Sequence, residues 1–111
     1  MLKGEKQMLR GVLMKGSNVE SAKGKVVNEL LKDDVCALLV EDKDSIIYMW
    51  IGAKADVKTK FLVSRLAHGV NGKMFGMAAK VSQDAREIQE KLYNRTVDDD
   101  LPQEVIREIL G

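Results

Sequence analysis

The sequence predicts an α/β fold of the α+β type, in which helices pack on both faces of a central mixed β-sheet. Three observations lead to this prediction. Residues 35–40 form an uninterrupted apolar run, residues 45–51 are rich in β-branched and aromatic side chains, and residues 55–70 carry apolar side chains at helical spacing. A chain that mixes short strands with amphipathic helices in this way favours a sheet covered by helices.

The sequence signals for the elements before residues 35–40 are weaker. Residues 1–6 form a polar lead that we expect to be frayed. Residues 7–14 alternate loosely and predict a first strand, which the polar residues 16–18 end. Residues 25–32 place four apolar side chains at helical spacing and predict a short helix.

The centre of the chain predicts a β-hairpin. The apolar run is too short for an independent helix and long enough for a strand buried on both faces. The polar residues 41–44 then predict a turn, and residues 45–51 a second strand that Gly52 ends. Tyr48 and Trp50 are two residues apart, so we expect them on one face of this strand.

The C-terminal third predicts one strand and two helices. Residues 74–81 read as a strand with an internal glycine at a bulge or close backbone approach. Residues 84–94 read as a helix with Ser82 as its N-cap. Pro102 opens a last helix after the acidic run 98–100, whose charge complements the helix dipole.

Length and composition indicate one ordinary globular domain. A chain of 111 residues is the size of a single domain, and we treat residues 84–111 as a helical elaboration of it. The 45% hydrophobic and 32% charged residues argue against disorder and against a membrane-embedded protein. The N-terminal residues lack the apolar segment of a signal peptide, so we expect a cytoplasmic protein.

The chemistry of an enzyme is missing from the sequence. Cys36 and His68 are the only cysteine and histidine, so a disulfide, a zinc site and a histidine-based triad have no partners. We find no nucleophile and base pair and no phosphate-binding glycine loop, and we expect no enzymatic activity. A formal net charge of +1 gives no drive toward nucleic acid.

The long helix has two faces. One face is apolar and is expected to pack on the sheet; it holds Ala55, Leu62, Val63, Leu66 and Val70. The other face carries a second stripe with basic residues at its edges; its members are Val57, Lys58, Phe61, Ser64, Arg65 and His68. An apolar stripe with a basic rim is typical of a surface that binds a partner. The alternative is that Val57 and Phe61 are covered by the N-terminal segment or the C-terminal helices.

The ordered elements resemble the gelsolin-like domain of the gelsolin/villin superfamily. The matching motifs are the acidic pair Asp33 and Asp34 before a strand, the Trp50-Ile51-Gly52 end of the next strand, and the long helix after it. Residues 105–111 are similar to the short closing helix of such domains. The resemblance implies a mixed sheet with the long helix on one face and shorter helices on the other.

The resemblance also implies a function. In the family, the long helix inserts into a hydrophobic cleft of actin, which makes its second stripe the expected contact surface. A single domain is then expected to bind or sequester monomer, or to cap a filament end. The alternative is an interaction module of the same fold that is not directed at actin, as in vesicle-coat proteins.

The family resemblance implies a calcium site, but this sequence lacks one of the expected ligands. The family holds calcium between a carboxylate before the strand and a glutamate on the long helix. Asp34 matches the first position and Asp33 offers a backbone carbonyl, but Thr59 stands at the glutamate position. No Asp or Glu occurs in residues 57–83, so we expect a weak site or none. Contact with anionic lipid or phosphoinositide head groups is an alternative, through the cations Lys54, Lys58, Lys60 and Arg65.

Overall fold

The computed structural model describes residues 8–111, which form five strands and four helices. The elements follow one another as β1 (Leu9–Lys15), β2 (Asn18–Ser21), α1 (Val27–Leu30), β3 (Cys36–Glu41), β4 (Ile46–Ile51), α2 (Val57–Phe75), β5 (Lys80–Ser82), α3 (Ala85–Leu92) and α4 (Gln103–Leu110). The strands make one sheet in the order β2-β1-β3-β4-β5. Only the β4 and β5 pair is parallel, so the sheet is mixed as predicted.

Each central strand sends alternate side chains into two separate cores. The α2–α4 side of the sheet buries one set, which comprises Val12, Met14, Cys36, Leu38, Val40, Ile47 and Met49. The α1–α3 side buries the other set, which comprises Leu9, Leu13, Ala37, Leu39, Tyr48 and Trp50. Tyr48 and Trp50 therefore share a face as predicted, and the Trp50 indole N–H donates to the carbonyl oxygen of Lys32 at 2.9 Å.

Gly52 has a steric reason to follow β4. Its N–H donates to the carbonyl oxygen of Val35 at 2.9 Å, and a Cβ at this position would collide with the carbonyl oxygens of Asp33 and Val35. Only glycine lets the chain pass this close to the start of β3. The Trp-x-Gly motif thus ends β4 and hydrogen-bonds its end to the start of β3.

The prediction missed strand β2. Residues 16–18 were expected to end the first strand, whereas Gly16 and Ser17 form a two-residue turn of a hairpin in which Lys15 pairs with Asn18. Gly16 has a φ of 58°, which a glycine adopts without strain. The sequence pattern does not indicate β2, because Val19 is its only apolar residue and is itself half-buried.

The expected strand at residues 74–81 is wrong in most of its length. Helix α2 continues past Val70 to Phe75, and Gly76 ends it in the left-handed conformation with φ 58° and ψ 30°. The glycine is thus a C-cap and not a bulge. Only Lys80–Ser82 forms a strand, at the edge of the sheet.

The two last helices also differ in detail from the prediction. Asp84 and not Ser82 caps α3, since its carboxylate accepts the N–H groups of Arg86 and Glu87. The Ser82 hydroxyl instead donates to the carboxylate of Glu87. Helix α4 follows Pro102 as expected, and no side chain caps it. Asp98 of the acidic run accepts the N–H of Leu9 at 2.9 Å and bonds the chain to β1.

Helix α4 lies beside α2, whereas the shorter helices were all expected on the other face. Ile106 and Ile109 of α4 belong to the same core as α2. Gly69 of α2 makes room for this contact, because a Cβ there would lie 2.5 to 2.8 Å from three atoms of Ile109. The expected fraying of residues 1–6 lies outside the described residues.

Candidate functional site: the exposed face of helix α2

Helix α2 begins at a strong local signal. The Asp56 carboxylate accepts the backbone N–H of Thr59 at 2.7 Å, the usual role of an N-cap aspartate. The Thr59 hydroxyl, 2.7 Å away, and then the Thr59 N–H hold the pKa of Asp56 below its ordinary value. The cap fixes where the helix starts and hence which residues face outward.

The sheet-facing side of α2 is buried as predicted. Thr59, Val63, Leu66, Ala67 and Val70 are all buried, and Leu62 packs against the same core. Their directions around the helix axis span less than half a turn. The remaining half of the helix surface is turned away from the sheet.

All six residues predicted to contact a partner lie on this outer half. Val57 is 81% exposed and Phe61 is 66% exposed, and the other four, Lys58, Ser64, Arg65 and His68, are also exposed. We call these six residues the outer face of α2. The C-terminal helices do not cover Phe61, while the N-terminal residues 1–7 lie outside the described part of the chain. His68 lies almost two turns before the end of the helix.

The outer face carries positive charge and no carboxylate. Among the described residues, Lys58 and Arg65 form no ion pair within 4.0 Å, whereas Lys73, near the helix end, pairs with Glu108 at 3.1 Å. Two unpaired cations therefore flank the exposed Phe61. This combination of apolar and cationic groups suits a partner with an apolar groove and an acidic rim.

The structure does not assemble the calcium site that the resemblance implies. The carbonyl oxygen of Asp33 already accepts the N–H of Lys54 at 2.7 Å. Thr59 is 1% exposed, and its hydroxyl oxygen lies 2.9 Å from the carbonyl oxygen of Gly16. Thr59 is thus a buried structural residue that faces the sheet from the α2 side.

Asp34 does not lie on the α2 side of the sheet with Thr59. It lines a cleft of about 550 Å³ between the β1–β2 hairpin and α1, whose apolar floor is part of the α1–α3 side of the sheet. Within residues 8–111, no group of three His, Cys, Asp or Glu side chains is arranged to hold a metal ion. Since calcium requires six or more oxygen ligands, the residues present do not fit it.

One exposed apolar residue was not anticipated. Met77 follows the Gly76 cap and is 53% exposed beside the last turn of α2. The prediction of a strand through residues 74–81 hid it, because an alternating strand gives no reason for a methionine to lie next to a helix face. No helix of the described chain is long and apolar enough to cross a membrane.

The comparison with solved structures bears on the fold. A chain in the structure of the complex of Thorarchaeota ProGel with rabbit actin superposes with a TM-score of 0.57. The match covers 77% of this chain and 99% of the other, at 14% sequence identity. No protein-family model matches the sequence, and no curated protein matches it. ProGel is gelsolin-like, and this chain is a mixed five-stranded sheet with several helices. The chain therefore has the gelsolin-like fold that its sequence motifs predict.

Proposed function

We propose that this protein is an actin-binding regulatory module that acts through the outer face of α2. The observation that carries the proposal is Phe61, a large apolar side chain that is 66% exposed in the middle of a helix face. Leaving it in water has no benefit for the fold, whereas an apolar groove of a partner would bury it. The solved gelsolin-like neighbour was itself captured with actin, which supports actin as the partner.

The proposed mode is the binding of an actin monomer, which sequesters it, or the capping of a filament end. Both modes work by shape and by burial of apolar surface, so neither needs a chemical step on the protein. The protein would accordingly associate with the cytoskeleton. The two modes differ in stoichiometry, since a cap acts at a small fraction of the actin concentration and a sequestering protein acts in proportion to it.

We further propose that binding does not depend on calcium. Thr59, which stands where the family places a carboxylate, is buried, and Asp34 lines a cleft on the α1–α3 side of the sheet. Lys58 adjoins Thr59 in the sequence and carries a fixed positive charge that opposes a divalent cation there. The surface that binds actin would then be ready at any calcium concentration.

The test compares the wild-type protein with Phe61→Ala. Monomer binding and the polymerisation of pyrene-labelled actin are measured with calcium and with a chelator, and thermal unfolding is measured in parallel. We expect Phe61→Ala to weaken binding by about 2 kcal/mol, roughly thirtyfold, as removal of a central anchor does. We expect stability to change by much less than the cost of a core cavity, because Phe61 is exposed.

Tyr93→Ala is the matched control. Tyr93 is another exposed aromatic residue, but it follows α3 on the opposite side of the sheet. It should leave actin binding unchanged. Equal affinities of wild type and Phe61→Ala, or no binding of actin at all, would contradict the proposal; a calcium requirement would contradict only its calcium-independent part.

A further inference from the structure

The backbone at Met77 is in an unusual conformation. Gly76 and Met77 are consecutive left-handed residues, with φ values of 58° and 69°. Glycine adopts this conformation freely, but a residue with a Cβ is disfavoured there. Met77 is also 53% exposed, so its side chain gains little from packing. A glycine at this position would serve the fold at least as well.

Asn71 holds this strained turn from both ends. Its backbone carbonyl oxygen accepts the N–H of Met77 at 2.8 Å. Its side-chain amide accepts the N–H of Ala79 at 2.9 Å and donates to the carbonyl oxygen of Ala79 at 3.2 Å. Asn71 is itself buried, so these bonds are shielded from water. The backbone of Met77 is therefore held in place before any partner arrives.

Met77 lies in line with Phe61. A Cβ placed on Gly72 would be 3.4 Å from the Met77 Sδ, so the thioether rests beside Gly72. Gly72 follows Phe61 by eleven residues, which is three helical turns and about 20°, and about 17 Å along the axis. The exposed methionine thus extends the outer face of α2 to the last turn of the helix.

We infer that Met77 is a second apolar anchor of the partner-binding surface, placed by Asn71 at the far end of α2 from Val57. The inference rests on the proposed function and names an additional contact residue for it. Two apolar groups, Phe61 and Met77, then flank a polar middle that contains Arg65 and His68. Methionine is suited to such a role, since its flexible and polarisable side chain adapts to an apolar pocket.

The charge around this surface identifies the chemistry of the occupant. Residues 57–83 contain five Lys and Arg residues and no Asp or Glu. Glu108 and Glu87 pair with Lys73 and Lys80, at 3.1 and 3.9 Å. Within the described chain the other three, Lys58, Lys60 and Arg65, have no ion-pair partner. These cations and the two apolar groups fit a groove that is apolar at both ends and carries carboxylates on its rim. Under the proposed function, the occupant is an actin subunit.

Two substitutions separate this role from a structural one. Met77→Gly removes both the side chain and the strain, and Met77→Gln keeps the length and the strain but makes the side chain polar. Affinity for actin monomer is measured by titration, and stability by thermal unfolding. We expect both variants to weaken binding by about five- to tenfold. We expect Met77→Gly to melt at the same temperature as the wild type or higher, because glycine tolerates the left-handed turn.

Met8→Ala is the control of the same residue type, since Met8 is also exposed but precedes β1. It should change neither quantity. The inference is overturned if both Met77 variants bind as tightly as the wild type while Phe61→Ala binds weakly, and the proposed function then stands. It is also overturned if Met77→Gly lowers the melting temperature, which would make Met77 a structural residue. If Phe61→Ala and the Met77 variants all bind like the wild type, the proposed function fails as well.

Discussion

Thr59 shows how far a single residue can be understood from its position in a motif. The family resemblance makes it the place of a missing carboxylate, and the structure shows that its side chain is buried. Its actual role depends on Gly16, whose carbonyl oxygen lies 2.9 Å from the hydroxyl across 43 positions of sequence. Because a contact between distant segments leaves no local pattern, the residue's structural role could not be predicted. The N-cap Asp56 next to it could have been, from its place before the helix.

The Asp56 cap makes part of the stability depend on pH. Hydrogen bonds from Thr59 lower the pKa of Asp56 from its ordinary value of 3.8. Its contribution to stability is therefore present above that ordinary pKa and is lost as the pH falls through the lower pKa of the folded state. Asp56→Asn keeps an acceptor for the cap but cannot titrate, so its melting temperature should fall less between pH 5 and pH 2 than that of the wild type.

The measurement is thermal unfolding as a function of pH, with Asp34→Asn as the control. Asp34 is exposed, and its carboxylate has no hydrogen bond within the described chain. Asp34→Asn should retain the wild-type pH dependence of Asp56. If Asp56→Asn loses as much stability in acid as the wild type does, the cap is not the titrating group.

At the scale of elements, helix α2 was predicted in its first four turns and missed in its last. Apolar periodicity identified the buried side through Val70, but Lys73 to Phe75 carry no clear period and the glycines suggested an end too early. The side on which α4 packs was also beyond prediction. Its amphipathic pattern shows that one face must be buried, and it does not say against which neighbour.

Two glycines of α2 differ in what surrounds them, and the difference is testable. Gly69→Ala would drive a methyl group into Ile109 of α4, whose nearest atoms would be 2.5 to 2.8 Å away. We expect a loss of about 1 to 3 kcal/mol of stability, the usual cost of overpacking. At the exposed Gly72, the only neighbour of a new Cβ is the movable Met77 thioether at 3.4 Å. Gly72→Ala should therefore stabilise the protein by up to about 1 kcal/mol.

Chemical denaturation of both variants measures these free energies. The opposite signs are the informative result, since both substitutions raise helix propensity equally. A stabilising Gly69→Ala would mean that α4 does not pack closely on α2.

At the scale of the whole molecule, the order of the elements was enough to predict the fold class. The central hairpin, Gly52 and the start of α2 have strong local signals, and together they determine a mixed sheet with a long helix. Strand β2, which the sequence did not predict, has almost no apolar residue, because it lies at the sheet edge. The outer face of α2 could be located from the sequence by its periodicity, whereas Met77 needed the turn that only the structure reveals.

Charge is distributed unevenly over the molecule. All 17 Asp and Glu residues lie outside residues 57–83, and five of the 18 Lys and Arg residues lie within that segment. Such a field speeds the approach of an acidic partner and weakens with ionic strength. Arg65→Glu should slow association with actin and reduce its salt dependence, with a smaller effect on dissociation. Stopped-flow binding at several salt concentrations measures this, and Arg86→Glu, on α3, is the control.

If the outer face of α2 contacts actin, a bound actin monomer should shield a thiol placed at position 64. Burial raises the pKa of the native Cys36 thiol and shields it from reagents. Alkylation therefore reports on an introduced thiol. Ser64→Cys places that thiol on the outer face of α2, and Gln89→Cys places it on α3 as a control. The rate of alkylation is followed by the mass of the domain, with and without actin monomer. We expect actin to slow alkylation at position 64 at least tenfold and to leave the rate at position 89 unchanged. Protection at position 89 with no change at position 64 would contradict this expectation.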